Sequence, residues 1–201
     1  MITAKNLGLA LEGNVILDDV SFGITPKYQK LMTYQDSANI DDFDLEDYDQ
    51  SEVSETAFNV DLGAVLMLNN YRVGIAIKDL LSQEVKTFDG TDTYNLDTQI
   101  TLSGAYALEL FTATVDWDVT KQERFAKLAD DTQFLRFGVE GNAWGWAQLR
   151  AGYEIDLEDT LDNSITAGIG ISPGDLVSLD IAGSYAGDNQ FGVGGNLAFT
   201  F

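Results

Sequence analysis

The chain has 201 residues, with 33 acidic and 11 basic side chains and a formal net charge of −22. A polyanion of this kind repels nucleic-acid phosphates instead of displacing their counterions, so nucleic acid is excluded as a partner. With no cysteine and no histidine, disulfides, thiolate or imidazole metal sites, cysteine nucleophiles and Ser-His-Asp hydrolysis are ruled out.

The chain opens without a targeting helix. Leu7, Leu9 and Leu11 alternate with other residues instead of running on as a signal-peptide core. No segment reaches the ~18 apolar residues of a membrane-spanning helix. Nineteen glycines, two prolines and 11% aromatics suit β-structure, and 45% apolar residues are too many for a disordered acidic tail.

Period-2 alternation dominates from there on. Strands are expected at 4–12, 19–35, 57–68, 71–79, 94–108, 111–119, 132–142, 145–156, 164–172, 176–186 and 190–201. Phe58, Val60, Leu62, Ala64, Leu66 and Leu68 fall opposite Asn59 and Asp61. Leu96, Ile100, Leu102, Tyr106 and Leu108 fall opposite Asn95, Asp97, Gln99, Thr101 and Ser103. In the last segment Phe191, Val193, Gly195, Leu197, Phe199 and Phe201 form one face, against Gly192, Gly194, Asn196, Ala198 and Thr200. One oily face and one small polar face is the pattern of a strand between lipid and a polar lumen. Several segments also have the roughly 9–11 residues that a tilted strand needs to cross a bilayer.

The connections alternate in length. Asn69-Asn70, Glu109-Leu110, Asn142 to Gly145 and Pro173-Gly174-Asp175 are short. Asp36 to Thr56, Leu81 to Thr93, Lys121 to Asp131 and Glu158 to Asn163 are longer. Outer-membrane barrels sort loops in this way, long outside and short on the periplasmic side, and the parity places Phe201 on the short side. Tyr71, Phe111, Trp144, Trp146, Phe199 and Phe201 cluster beside the short turns, where an interfacial girdle forms. Lys121 to Leu128 reads as a short helical turn inside a loop.

A run of motifs carries a family resemblance. It comprises Val20-Ser21-Phe22-Gly23-Ile24 leading into Thr25-Pro26-Lys27-Tyr28-Gln29, then Phe58-Asn59-Val60-Asp61-Leu62-Gly63, and Arg72 through Leu80. Val115 through Lys121, Leu149-Arg150-Ala151-Gly152-Tyr153 and Thr166-Ala167-Gly168-Ile169-Gly170 follow. This succession resembles the bacterial outer-membrane barrel family labelled conjugal transfer protein TraF, itself distantly similar to the long-chain fatty-acid transporter barrels. The resemblance implies an all-β, antiparallel up-and-down transmembrane barrel occupying residues 1–201. Family members are longer and bacterial barrels have even strand numbers, so the chain is expected to be the C-terminal part of a larger barrel with about 10–12 strands visible.

Several side chains are candidates for function. Asp61, Arg72, Lys78, Asp97, Asp116, Asp118, Arg136, Glu140, Arg150 and Glu154 fall on the inward face. There they either filter solutes by charge or neutralise one another across neighbouring strands. The loop from Asp36 to Glu55 is rich in acids and has no base. Asp41, Asp42, Asp44, Glu46 and Asp47 are weak divalent-ion candidates, without the glycine turn of an EF-hand. Leu197, Phe199 and Phe201 read as a C-terminal barrel-assembly signal. The paired acids Asp116 and Asp118 mark no substrate cleft, so neither catalysis nor a cofactor is expected.

The expected location is the bacterial outer membrane. Lipid, lipopolysaccharide and the barrel-assembly machinery are the expected partners, with proteins of an envelope complex as further ones. The leading function is passage or binding of small or hydrophobic solutes. The alternatives are a structural or assembly part of a conjugation or secretion machine and, from a different class, a soluble acidic β-sandwich.

Overall fold

The structure is a computed structural model that describes residues 2–10, 13–17, 19–35, 52–87, 90, 92–143, 145–172, 177–187 and 190–199. It is all-β among these residues. The strands are β1 (Ile2–Ala10), β2 (Gly13–Leu17), β3 (Val20–Gln35), β4 (Glu52–Leu68), β5 (Tyr71–Lys78), β6 (Gln83–Lys86) and β7 (Thr93–Leu96). They continue as β8 (Gln99–Ala107), β9 (Phe111–Asp118), β10 (Phe134–Ala143), β11 (Ala147–Asp156), β12 (Ser164–Ile171), β13 (Val177–Ala186) and β14 (Gln190–Phe199).

Twelve strands form one sheet and β6 and β7 form a second, two-stranded one. Every pairing is antiparallel, and in the large sheet neighbours follow chain order from β3 to β14 apart from the β6–β7 excursion. β1 and β2 lie end to end along one edge of β3 in a single register, from Ile2↔Gln35 to Ala10↔Lys27 and from Gly13↔Ile24 to Leu17↔Val20. Pro26 of β3 faces the interval between them; lacking an N–H, it cannot donate to a ladder there.

The hairpin turns follow from local chemistry. Asn69 sits at φ 52° between β4 and β5, a left-handed conformation that asparagine tolerates better than most residues. Gly145 provides φ 74° between β10 and β11, where a side chain would be strained. These turns, with 108–110, lie at one end of the sheet. The connections 119–133 and 157–163 and the described parts of 79–98 lie at the other, as the loop-length pattern predicts; the expected long loop from Asp36 lies outside the described residues up to Glu52.

Among the described residues neither β1 nor β14 has a partner on its outer edge. Among the described residues the expected closed up-and-down barrel is therefore an open antiparallel sheet. Counting antiparallel steps from β1 to β14 leaves both edge strands running the same way, so they cannot meet as an antiparallel pair.

Four elements differ from the sequence pattern, the first being the additional strand β2. Residues 94–108 are not one strand: the chain breaks at 97–98, and Tyr94 pairs with Val85 of β6 instead of extending β8. Lys121 to Leu128 is not helical. It is tied by the bridges Tyr94↔Phe125 and Gln122↔Thr132, and the Asp130 carboxylate accepts the backbone N–H groups of Arg124 and Phe125. β4 also starts earlier than the alternation suggests, because Glu52 to Glu55 stay paired with the far end of β3; this places Glu52 and Glu55 in a strand instead of a loop.

Candidate functional site

The two faces of the large sheet differ chemically, and their burial is the inverse of a water-soluble sheet. Register carries one apolar face across ten strands. Tyr28 lies opposite Phe58, Leu66 opposite Val73, Ile75 opposite Leu102 and Leu102 opposite Trp117. Phe137 lies opposite Tyr153, Ile169 opposite Ile181 and Leu179 opposite Leu197. All of these side chains are exposed, and at the edge Phe191 and Val193 reach 82%. Only five hydrophobic side chains are buried among the described residues. A large exposed apolar surface is informative where a scattered leucine is not.

The opposite face carries polar and small residues, and these are the more buried ones. Asn59 is 0% exposed and Asp118 and Asp156 are 2%. Three cations on this face each bridge two carboxylates. Lys27 Nζ lies 2.6 Å from both Asp61 and Asp79. Arg136 donates to Asp118 at 2.9 Å and Glu154 at 2.6 Å. Arg150 donates to Glu140 at 2.6 Å and also to Asp180. The Arg136 and Arg150 pairs run across β10 and β11 in the register Arg136↔Glu154 and Glu140↔Arg150. Asp118 additionally accepts the Thr101 hydroxyl at 2.7 Å, and Arg136 lies over the Phe134 ring at 4.7 Å. Each trio has two negative groups for one positive, so this face remains net acidic after pairing.

Between the arginine clusters the floor is kept low. Gly138 faces Gly152 across β10 and β11, with Thr114 and Thr166 flanking them. A Cβ on Gly138 would stand 2.6 Å from the Thr114 hydroxyl oxygen, and one on Gly152 would stand 3.3 Å from the Phe137 carbonyl. The result is a trough of about 630 Å³ bordered by Arg72, Thr112, Asp116, Arg136, Arg150 and Asp180, among others.

The sequence-derived residues are distributed as follows. Asp61, Asp118, Arg136, Glu140, Arg150 and Glu154 are in the ion-paired clusters. Arg72 and Asp116 border the trough without an ion pair to any described residue, and Lys78 ends β5. Asp97 falls in the 97–98 link between β7 and β8, off the large sheet, because the chain turns there to build the small one. Leu197 and Phe199 are exposed on the apolar face. Of the turn-end aromatics, Tyr71, Phe111, Trp146 and Phe199 are likewise exposed. Trp144, Phe201 and the acidic candidates Asp41, Asp42, Asp44, Glu46 and Asp47 lie outside the described residues. Among the described residues no group of acids is placed to hold a metal ion.

Lys27, Asp79 and Asp180 are participants that the alternation alone did not single out. The signal for Lys27 and Asp180 was available, since both share strand parity with inward residues. Asp79 could not be read so, because it sits at φ 52° just beyond β5. At the loop end the Asp156 carboxylate accepts the backbone N–H groups of Gln133, Glu158, Thr160 and Leu161, which organises the 157–163 connection. In the same region Lys121 pairs with Glu158, whose carboxylate raises the lysine pKa above its ordinary value.

A small hydrophobic cluster covers the loop end of the polar face. Leu31, on the inward parity of β3, is 2% exposed and packs with Val85 of β6 and Tyr94 of β7. Leu96 and Phe125 complete the cluster, with Tyr94 and Phe125 edge to face at 5.4 Å. Asn59 fastens this excursion to β4: its amide donates to the Leu81 carbonyl and Asp79, and its oxygen accepts the Leu81 N–H at 3.0 Å.

A family model described as "F plasmid transfer operon, TraF, protein" matches residues 2–118. No protein with a curated description matches the chain. A solved structure described as "Unveiling the Mechanism Behind the in-meso Crystallization of Membrane Proteins" is similar over 96% of this chain and 75% of its own, with a TM-score of 0.50 and 12% identity. At that identity the likeness is one of fold.

Proposed function

Because the chain belongs to the family described as the F plasmid transfer operon TraF protein, we propose that it forms the wall of an integral β-barrel in the bacterial outer membrane, with a polar lumen that passes small solutes. The observation that carries this reading is the inverted burial: apolar rows exposed on one face, paired charges and small residues sheltered on the other. In water, exposing that apolar area would cost on the order of 25 cal/mol per Å², whereas lipid removes the cost. The antiparallel order, the sorted loops and the turn-end aromatics support the same placement. The solved structure of similar fold comes from work on membrane proteins.

In this reading lipid and lipopolysaccharide contact the apolar face, and the barrel-assembly machinery reads the C-terminal segment containing Leu197, Phe199 and Phe201. The wall performs no chemistry and needs no cofactor. Turnover of an ester, peptide or glycoside panel that is lost on Asp116→Asn would contradict this. The family match favours a second reading, in which the barrel is a structural part of a conjugation envelope machine and passes nothing.

Two measurements decide between these. With Trp144 and Trp146 replaced by Phe, Trp117, exposed on the apolar face, is quenched by brominated acyl chains if that face meets lipid; an unquenched Trp117 in folded, reconstituted protein removes the membrane placement. Single-channel recording in planar bilayers then separates a conducting wall from a silent platform.

A further inference from the structure

We propose that the β6–β7 hairpin and the 121–131 connection form a gate over the loop end of the lumen. The inference rests on the pore reading above and adds its regulation. The chain leaves β5 at Lys78, and the 79–82 turn folds against the inward side of β4 instead of continuing outward. Asn59, fully buried, holds that turn through Asp79 and Leu81, and Gln83 donates to the Phe58 carbonyl. Val85 and Tyr94 then seat on Leu31, an inward position of β3. From the other side the 121–131 connection, which joins β9 to β10, meets the hairpin. Asn95 N–H donates to the Arg124 carbonyl, Ala126 N–H to the Thr93 carbonyl and Lys127 N–H to the Asp92 carboxylate. Segments rooted between β5 and β8 and between β9 and β10 thus join over the inner side of β3 and β4.

The construction suits a part that opens. Its apolar core consists of Leu31, Val85 and Tyr94 with Leu96 and Phe125 at the margin, far smaller than a domain core. The hairpin has four residues per strand and, among the described residues, no ladder to the large sheet; it is attached through side chains and turns. Gln29, two positions from Leu31 on the same face of β3, is 3% exposed, and we use it as the reporter of whether the cover is seated.

The test uses the full chain folded into liposomes and planar bilayers, with heat-modifiable mobility confirming folding. Since the protein has no cysteine of its own, Gln29→Cys gives a single reporter for a membrane-impermeant maleimide. Seated cover predicts slow labelling. Adding Asn59→Ala, or separately replacing 83–96 with a short Gly-Ser linker, should speed labelling about tenfold or more. The same two changes, made without the reporter, should raise mean conductance several-fold. Fast labelling in the parent reporter protein would overturn the cover. Faster labelling with unchanged conductance in a conducting protein would overturn the gate while leaving the pore. Silence of both the parent and the hairpin-deleted protein would overturn the pore reading and the gate with it.

Discussion

At the residue scale, adjacent positions on one strand face opposite environments. Leu197 of β14 is exposed on the apolar face and lies opposite Leu179, while its neighbour Asn196 lies opposite Asp180 on the polar face. Leu197→Arg is therefore expected to cost about 2–4 kcal/mol near a bilayer midplane, with Asn196→Arg tolerated. Folding into liposomes at graded urea measures both, and equal tolerance would contradict the two-faced sheet. Arg136 gives a second case. Asp118 is 2% exposed, and removing its cation leaves the Thr101 hydroxyl as its remaining side-chain donor. Arg136→Met is expected to cost roughly 1–3 kcal/mol, below the value for a fully buried pair because Arg136 itself is partly solvated. Restoring stability with Asp118→Asn in the same background would show that the loss came from the stranded charge. Lys121→Ala, by contrast, breaks an ion pair whose lysine is exposed, and no measurable change in stability is expected.

At the element scale, the loop end is organised by single carboxylates and amides acting on backbone groups. Asp156 gathers four N–H donors from two connections. Asp156→Ala leaves those donors competing for water, so hydrogen exchange at Gln133, Glu158, Thr160 and Leu161 is expected to accelerate while the mid-strand amides of β11 and β12 keep their protection. Uniform acceleration across both strands would mean that Asp156 supports the sheet itself. The β6–β7 hairpin shows how alternation misleads. Tyr94 and Leu96 continue the rhythm of Ile100 and Leu102, and a period-2 reading extends one strand through all of them. Val85 and Phe125, two apolar residues within polar connections, were the available hint that Tyr94 had another partner.

At the scale of the whole molecule, the net −22 charge is joined by a polar face that stays acidic even after pairing. Each of Lys27, Arg136 and Arg150 is shared by two carboxylates. If this face lines the proposed water-filled lumen, the lumen attracts cations and repels anions. In a potassium chloride gradient the reversal potential is expected to have the sign of cation preference. Asp180→Asn together with Glu140→Gln should move it toward zero, and high salt should weaken it through screening. A reversal potential of anionic sign would refute the charge assignment of the lumen.

Alternation, loop lengths and composition determined the β-class, the identity of the two faces, the sorting of long and short connections and most strand positions. These are local properties: side-chain direction repeats every two residues, and a turn depends on the few residues that make it. That Asp61, Asp118, Arg136, Glu140, Arg150 and Glu154 share one polar face was legible for the same reason. What only the tertiary structure decided depends on contacts distant in the chain. Lys27 meets Asp79 across 52 positions, and Asp97 leaves the sheet because Tyr94 finds Val85. The hairpin folds inward because Leu31 and Asn59 hold it there. The open edges belong to this second group too, since strand direction accumulates over the whole sheet and no single strand carries the information that β1 and β14 run the same way.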